Sequence, residues 1–480
     1  MEPGSRSERE DPLEDPRIND ALVRSLLTLE NPFNSTEEIE AWISRRNAEV
    51  AVSVEEVPLG DLDGWHFDAR TGDLVHDSGR FFSIVGLEVS VDDGTRRTWQ
   101  QPIINQPEVG ILGILAKECD GVLFFLLQAK IEPGNVNCVQ LSPTIQATRS
   151  NYTRVHGGRK PTYLDCFRGV PAGRVLCDQL QSEQGARFFR KRNRNMVVLA
   201  DRDIPGDDNF RWMTLGQIKR LMSKDNIVNM DTRTVLSGLR FHPGSSVADI
   251  AGCGDPGTGW LESEAALSGV SGFGGILHHL SELKSRFELV AEKMPLKDVR
   301  GWTTGPVEIA RPDRLFFRVM GVRVTIENRE VSSWCQPLVQ PMQQGLCVLF
   351  AKRMRGVWHF LLQAKLECGN FDIVEFAPTI QCLTGPYHAP IGYTPAFLEE
   401  FLAGRCVERT FFDSVQSEEG GRFFRDQTRY VVCEVGDSVP DDPPESFFWL
   451  TLGQIKEFLR FNNYLNVQVR SLVSALEYVP

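Results

Sequence analysis

No CxxC pair, no uninterrupted apolar run of about 18 residues and no surplus of positive charge occur in this 480-residue chain. Each absence excludes something. The 11 cysteines stand singly, which fits buried thiols in a reducing compartment and excludes a disulfide frame or a zinc site built on paired cysteines. The opening stretch MEPGSRSEREDPLEDPRIND has neither the basic start nor the apolar core of a signal peptide. A cytoplasmic protein, away from membranes, is expected. With 52 Lys and Arg against 64 Asp and Glu, the net charge of −12 argues against nucleic acid or an anionic membrane as the main partner. Any phosphate must therefore be met by cations gathered locally. The remainder, 41% hydrophobic and 24% charged residues, is the composition of a globular protein, and its length predicts two or three domains.

What is present first is a duplication. FFLLQAKIEPGNVNCVQLSPTIQ at 124–146 returns as HFLLQAKLECGNFDIVEFAPTIQ at 359–381, with 14 of 23 positions identical. Gln128 and Gln363, Trp99 and Trp334, Tyr152 and Tyr387, and Ser182 and Ser417 share one offset of 235 residues. Towards the edges the offset slips to 237, as WMTLGQIK from Trp212 becomes WLTLGQIK from Trp449, the mark of short loop insertions. Each copy is roughly 200 residues, far longer than a solenoid unit. The reading is two tandem domains, an N-terminal repeat at 21–240 and a C-terminal repeat at 271–480, joined by a Gly/Ser-rich linker at 241–270 and preceded by a disordered tail at 1–20. The linker holds a GxGxxG at Gly252, Gly254 and Gly257, but without a strand before it or a helix after it the dinucleotide fingerprint lacks its context.

Within each copy the patterning predicts the same elements. An amphipathic helix leads in at 36–46 and 276–284, alternating strands follow at 80–91 and 315–326, and a closing helix is entered through Thr214 and Thr451, with Gln217 and Gln454 in capping-box spacing. The class is α+β, mixed sheets with flanking helices, made twice. In the duplicated stretch, strand alternation sends Phe125, Leu127, Ala129 and Ile131 to one face and Leu126, Gln128, Lys130 and Glu132 to the other. Such a polar row is commonly a solvated sheet face. Both copies nevertheless keep the same types, as Gln363, Lys365 and Glu367, while apolar neighbours drift, which favours a site lining. Gly134-Asn135 and Gly369-Asn370 signal a turn into a second strand that ends Pro143-Thr144-Ile145-Gln146, so the pair reads as a hairpin.

Beyond the hairpin the copies part. The first carries Arg149, Asn151, Tyr152, Arg154 and His156, whereas the second keeps Tyr387 and His388 and loses both arginines. Guanidinium forks on a Gly-containing loop suit a phosphate, and equally suit surface ion pairs. Further on, SEQGARFFR and SEEGGRFFR place Arg187, Arg190, Arg422 and Arg425 beside Phe pairs, with a structural role favoured for the rings and none assigned to the arginines.

These segments, together with the doubled TLGQIK, resemble the NDP-hexose 2,3-dehydratases of deoxysugar biosynthesis, in order and over nearly the whole chain. The resemblance implies two Nudix-like domains born of duplication, a homodimer, a dTDP-4-keto-6-deoxy-D-glucose substrate, and a downstream NAD(P)H-dependent 3-ketoreductase that takes the labile product. Neither half contains the acidic Nudix box that binds metal, so hydrolase activity does not follow from the fold. The chemistry has its own logic: a C4 ketone acidifies C3–H, and the hydroxyl at C2, beta to that ketone, then leaves. No redox step occurs, so no nicotinamide is expected as cofactor, and without an acidic Nudix box no metal is expected either. A base, a donor for the C4 oxygen and an acid for the departing hydroxyl are needed. Glu132 or His156 fits the base, and Lys130 or Tyr152 the donor or acid. Gln128, Gln146 and Asn151 would hold the sugar, and Arg149 and Arg154 the pyrophosphate. Gln363, Lys365, Glu367 and Tyr387 would form a second nucleotide-sugar site, a degenerate one, or a wall completing a partner's pocket. The rival readings are a non-catalytic nucleotide-sugar binding protein and a Nudix-type pyrophosphohydrolase.

Overall fold

The computed structural model describes residues 12–148, 161–241, 259–326, 333–384 and 394–478. Each repeat builds a seven-stranded mixed sheet. In the first, the path runs Val175–Ser182, Arg192–Leu199, Gly110–Cys119, Val122–Ile131, Phe210–Met213, with the pair Arg192–Leu199 and Gly110–Cys119 parallel. The second repeats it as Val407–Ser417, Gln427–Val435, Gly345–Met354, Val357–Lys365, Phe447–Thr451, again with one parallel pair. The expected hairpin forms, Val122–Ile131 against Val139–Pro143 in antiparallel register from Ile131↔Val139 to Leu127↔Pro143. The predicted helices appear as Thr36–Glu49 and Phe273–Arg286. The helices entered at Thr214 and Thr451, Leu215–Met222 and Leu452–Leu459, start with full capping boxes from Thr214 with Gln217 and Thr451 with Gln454, but a further helix, Met230–Ser237 and Val467–Ser474, closes each repeat. None of the described helices is long and apolar enough to cross a membrane.

The two halves are not beads on a string. Val52–Val57 of the first repeat pairs with Phe317–Ile326 of the second, and Glu288–Met294 of the second pairs with Ser83–Asp92 of the first, so each repeat completes a five-stranded sheet of the other. The exchange is driven by burial: Val52 and Val54 pack on Val322 and Val324, and Leu289 and Ala291 on Leu87 and Val89. Trp65 donates its indole N–H to the Cys335 carbonyl at 3.0 Å, and Trp302 returns the contact to Gln100 at 3.1 Å. The TLGQIK lysines cross over as well. Lys219 caps the C-terminal end of Val467–Ser474 through the Ser474 carbonyl, and Lys456 caps Met230–Ser237 through Ser237 and Leu239. One continuous apolar core runs from Leu13 to Tyr478.

Two boundaries move. Pro16–Leu27 is helix, capped by Asp15, because Ile18, Leu22, Val23 and Leu26 give it an apolar face; the stretch expected as tail is ordered from within. Trp260–Ala265 is helix inside the expected linker, with Trp260 only 1% exposed. It is the counterpart of the first helix: Ser25 and Ser263 accept from the backbone N–H groups of Leu215 and Leu452 in the same way. The GxGxxG lies outside the described residues.

Candidate active site

The polar row does not face water. Leu126 joins a second apolar cluster with Leu115, Phe167 and Phe210, and further along the strand Lys130 and Glu132 enter a cavity of about 140 Å³. Glu132 is 3% exposed, and both Lys130 and Gln146 donate to one of its oxygens, at 2.9 and 2.8 Å. The PTIQ segment explains its own recurrence. Thr144 accepts from Leu115 N–H and donates to the Leu126 carbonyl, locking the strand crossing, and Gln146 follows to hold Glu132. Asn229, the cap of Met230–Ser237, ties that helix to Ser142 at 2.8 Å and to Gln146 at 3.5 Å. Gln128 lies two residues back on the same face, half-buried and outside the cavity lining.

The cavity brings in further residues, of which the sequence singles out Arg422 without assigning it a role. Glu183, Lys191, Asn193 and Asp231 come from the same repeat, and Glu419 and Arg422 from the other. Lys191 donates to Asn193 at 2.9 Å, and Asn193 donates to Glu183 at 2.9 Å. Arg422 donates to Gln106 at 3.1 Å and lies 4.2 Å from the Phe82 ring centroid. Its loop is docked by close backbone approach: Gly134 N–H donates to the Gly420 carbonyl at 2.8 Å, and Arg425 N–H to the Gly134 carbonyl at 2.7 Å. A Cβ on Gly134 would stand 1.7 Å from the Phe423 carbonyl oxygen, so glycine there serves this contact between repeats in addition to the turn. Phe188 and Phe423 meet edge to face at 5.6 Å between the two docked loops, which gives the Phe pairs their structural role.

The carboxyls in the cavity are pushed apart in acidity. Burial alone would raise Glu132, but Lys130, Gln146 and Arg422 outweigh it and hold the group below the usual carboxylate range. Burial pushes Asp231 well above that range, and the charges of Glu183, Glu132 and Glu419 push it further. Burial also raises Glu183, against the pull of Lys191. Glu419 is lifted by burial to about 8, with Arg422 opposing and Glu132 and Glu183 adding. Glu132 is thus drawn towards its anion while the carboxyls around it are pushed towards the protonated form, an arrangement suited to taking a proton at one point and giving one at another. Asp231, Glu183 and Glu419 each keep one buried oxygen without a hydrogen-bond partner. Among the described residues no three acidic, His or Cys side chains are placed to hold a metal ion.

Of the residues expected from sequence, Lys130, Glu132 and Gln146 meet. Arg149, Asn151, Tyr152, Arg154, His156 and Tyr387 lie outside the described residues, as does His388. In the other repeat Gln381 donates to Glu367 at 2.9 Å, Asn466 donates to Gln381 at 2.8 Å, and Lys365 donates to the Gln381 carbonyl at 3.1 Å, while Gln363 is half-buried. The missed residues had a signal in the sequence, which is divergence inside kept segments: Asp231 aligns with Gln468, Lys191 with Asp426, and Glu419 with Gln184.

The family model for NDP-hexose 2,3-dehydratases matches residues 36–239 and 274–476, one match to each repeat. The chain is 46% identical over 464 residues to a dTDP-4-dehydro-6-deoxy-alpha-D-glucopyranose 2,3-dehydratase of Saccharopolyspora spinosa, covering 95% of this chain and 94% of the relative. It is 42% identical over 463 residues to an enzyme of the same name from Amycolatopsis orientalis, covering 95% and 93%, and 42% identical over 453 residues to one from Streptomyces violaceoruber, covering 93% and 98%. With both halves of the chain matched and its length covered almost end to end, the protein belongs to the NDP-hexose 2,3-dehydratase family.

Proposed function

We propose that the protein is a dTDP-4-keto-6-deoxy-D-glucose 2,3-dehydratase, a hydro-lyase of deoxysugar and antibiotic biosynthesis, and that its chemistry runs in the cavity around Lys130 and Glu132. The observation that carries the location is the buried Glu132, held by Lys130 and Gln146 in a cavity shared with Glu183, Asp231 and Glu419. Glu132 takes the C3 proton made acidic by the C4 ketone, with His156 as the alternative base. Lys130, or Tyr152, steadies the developing oxyanion at C4. The C2 hydroxyl leaves as water, and the enol tautomerises to a 3,4-diketo-2,6-dideoxy sugar. At about 140 Å³ the cavity suits the sugar ring and not the whole nucleotide, since ligand sites for larger molecules start near roughly 300 Å³. The pyrophosphate falls to Arg149 and Arg154, and the sugar hydroxyls to Asn151.

The step is redox-neutral and calls on no nicotinamide. The mixed sheet with one parallel pair and flanking helices supports a Nudix-like origin for each repeat, without metal-dependent hydrolysis. A cytoplasmic homodimer handing its labile diketone to an NAD(P)H-dependent 3-ketoreductase completes the reading.

The test is incubation of the purified protein with dTDP-4-keto-6-deoxy-D-glucose in D₂O, with and without a 3-ketoreductase and NADPH, followed by NMR and mass. Loss of water with deuterium at C2 is expected. A sugar that binds unchanged would leave a binding protein, and magnesium-dependent release of a sugar phosphate would make it a hydrolase.

A further inference from the structure

Elimination of a hydroxyl needs a proton for the departing oxygen, and Lys130 and Gln146 are both engaged on Glu132. The cavity offers three further carboxyls. Glu183 accepts from Asn193, and its counterpart Glu418 is likewise a buried glutamate, so this group is common to both repeats. Asp231 and Glu419 are different. Their counterparts are Gln468, one methylene longer than Asp231, and Gln184, the amide isostere of Glu419, and neither carries an acidic proton. Asp231 is 3% exposed, lines the cavity and has one oxygen with no hydrogen-bond partner. Glu419 reaches the same cavity from the other repeat, half-buried, with its Oε2 shut off from solvent and likewise unpartnered.

Resting on the reading of this cavity as the dehydration site, we propose that Asp231 is the catalytic acid of the elimination, with Glu419, in the same cavity, as the carboxyl that returns its proton. Glu132 takes the C3 proton, and the C3–H electrons become the C2–C3 double bond. The C2–O electrons leave with oxygen, which collects the Asp231 proton and departs as water. The enol then loses its O3 proton to solvent and gains one at C2, so one water is lost and no electrons enter or leave. Burial, and then the neighbouring acidic groups, push Asp231 towards its protonated form, against the first turn of Met230–Ser237, which favours an anion there.

The experiment compares wild type with Asp231→Asn on two substrates, the natural sugar and its 2-deoxy-2-fluoro analogue, whose fluoride leaves without needing a proton. Asp231→Asn should slow loss of water by about 10²–10⁴-fold, the worth of a positioned acid, yet keep fluoride release within about tenfold of wild type. The fluoride arm reports that the variant is folded and that its base still works. Equal loss on both substrates assigns Asp231 to architecture and overturns the proposal, as does unimpaired loss of water. A wild type that leaves both sugars intact while binding them overturns the dehydratase reading itself.

Discussion

The two repeats build the same cluster twice and fill it differently. Lys130, Glu132, Gln146 and Asn229 correspond to Lys365, Glu367, Gln381 and Asn466, and the loop of each repeat supplies an arginine to the other's cluster, Arg422 to the first and Arg187 to the second. In the first cluster Lys130 pairs with its glutamate; in the second Lys365 turns to a backbone carbonyl. Where the first has Lys191, the second has Asp426, which burial and then Glu418 push up to about 7. The lesson is that the scaffold is held by symmetric backbone contacts and the chemistry by a few side chains that broke the symmetry.

The comparison is broken most sharply by paired lysine variants. Lys130→Ala should cut turnover by about 10²–10³-fold, the worth of an oxyanion donor, and Lys365→Ala by less than about tenfold. Steady-state kinetics on folded variants decides, and a larger loss in Lys365→Ala would place the chemistry in the second repeat. The scaffold, in contrast, should respond symmetrically. Gly134→Ala and Gly369→Ala force a Cβ to within 1.7 and 1.8 Å of the Phe423 and Phe188 carbonyls, so each should cost about 3 kcal/mol or more in urea unfolding. If one of the pair is tolerated, the two loop contacts are not equivalent.

Acidity sharpens the difference further. Because Glu419 is raised to about 8, kcat/KM should fall as pH rises beyond about 8, roughly tenfold per unit, as the carboxyl that returns the proton to Asp231 loses its acid form. Glu419→Gln should displace that limb, and a pH profile that stays flat to pH 10 would count against protonated carboxyls in the cavity. The smallest effect is on stability. A carboxyl whose acidity is weakened by folding binds its proton more tightly in the folded state, so stability is lost as pH rises from the unfolded value through about 8. Glu419→Gln removes that loss, and its melting temperature should exceed wild type by about 1–3 °C at pH 9 with little difference at pH 4.

Local readings from sequence held where local physics decides. The capping boxes at Thr214 and Thr451 need only a hydroxyl and a glutamine three residues on, and the hairpin needs only alternation around a turn. Lys130, Glu132 and Gln146 were legible because both copies kept them. Asp231 and Glu419 were not, because they lie far apart in the chain, in different repeats, and differ between the copies. Trp260 and its helix were hidden by the Gly and Ser around them, and only their burial against Trp358 and Phe360 makes them part of the core.

By itself the sequence determined the duplication, the α+β elements and the polar row with its lysine and glutamate, since these follow from periodicity and from repetition of side-chain types. Only the tertiary structure decided that the halves exchange strands, that each loop completes the opposite cluster, and which carboxyl is drawn towards its anion. Those depend on desolvation and on charges brought close from distant parts of the chain, which no linear pattern encodes.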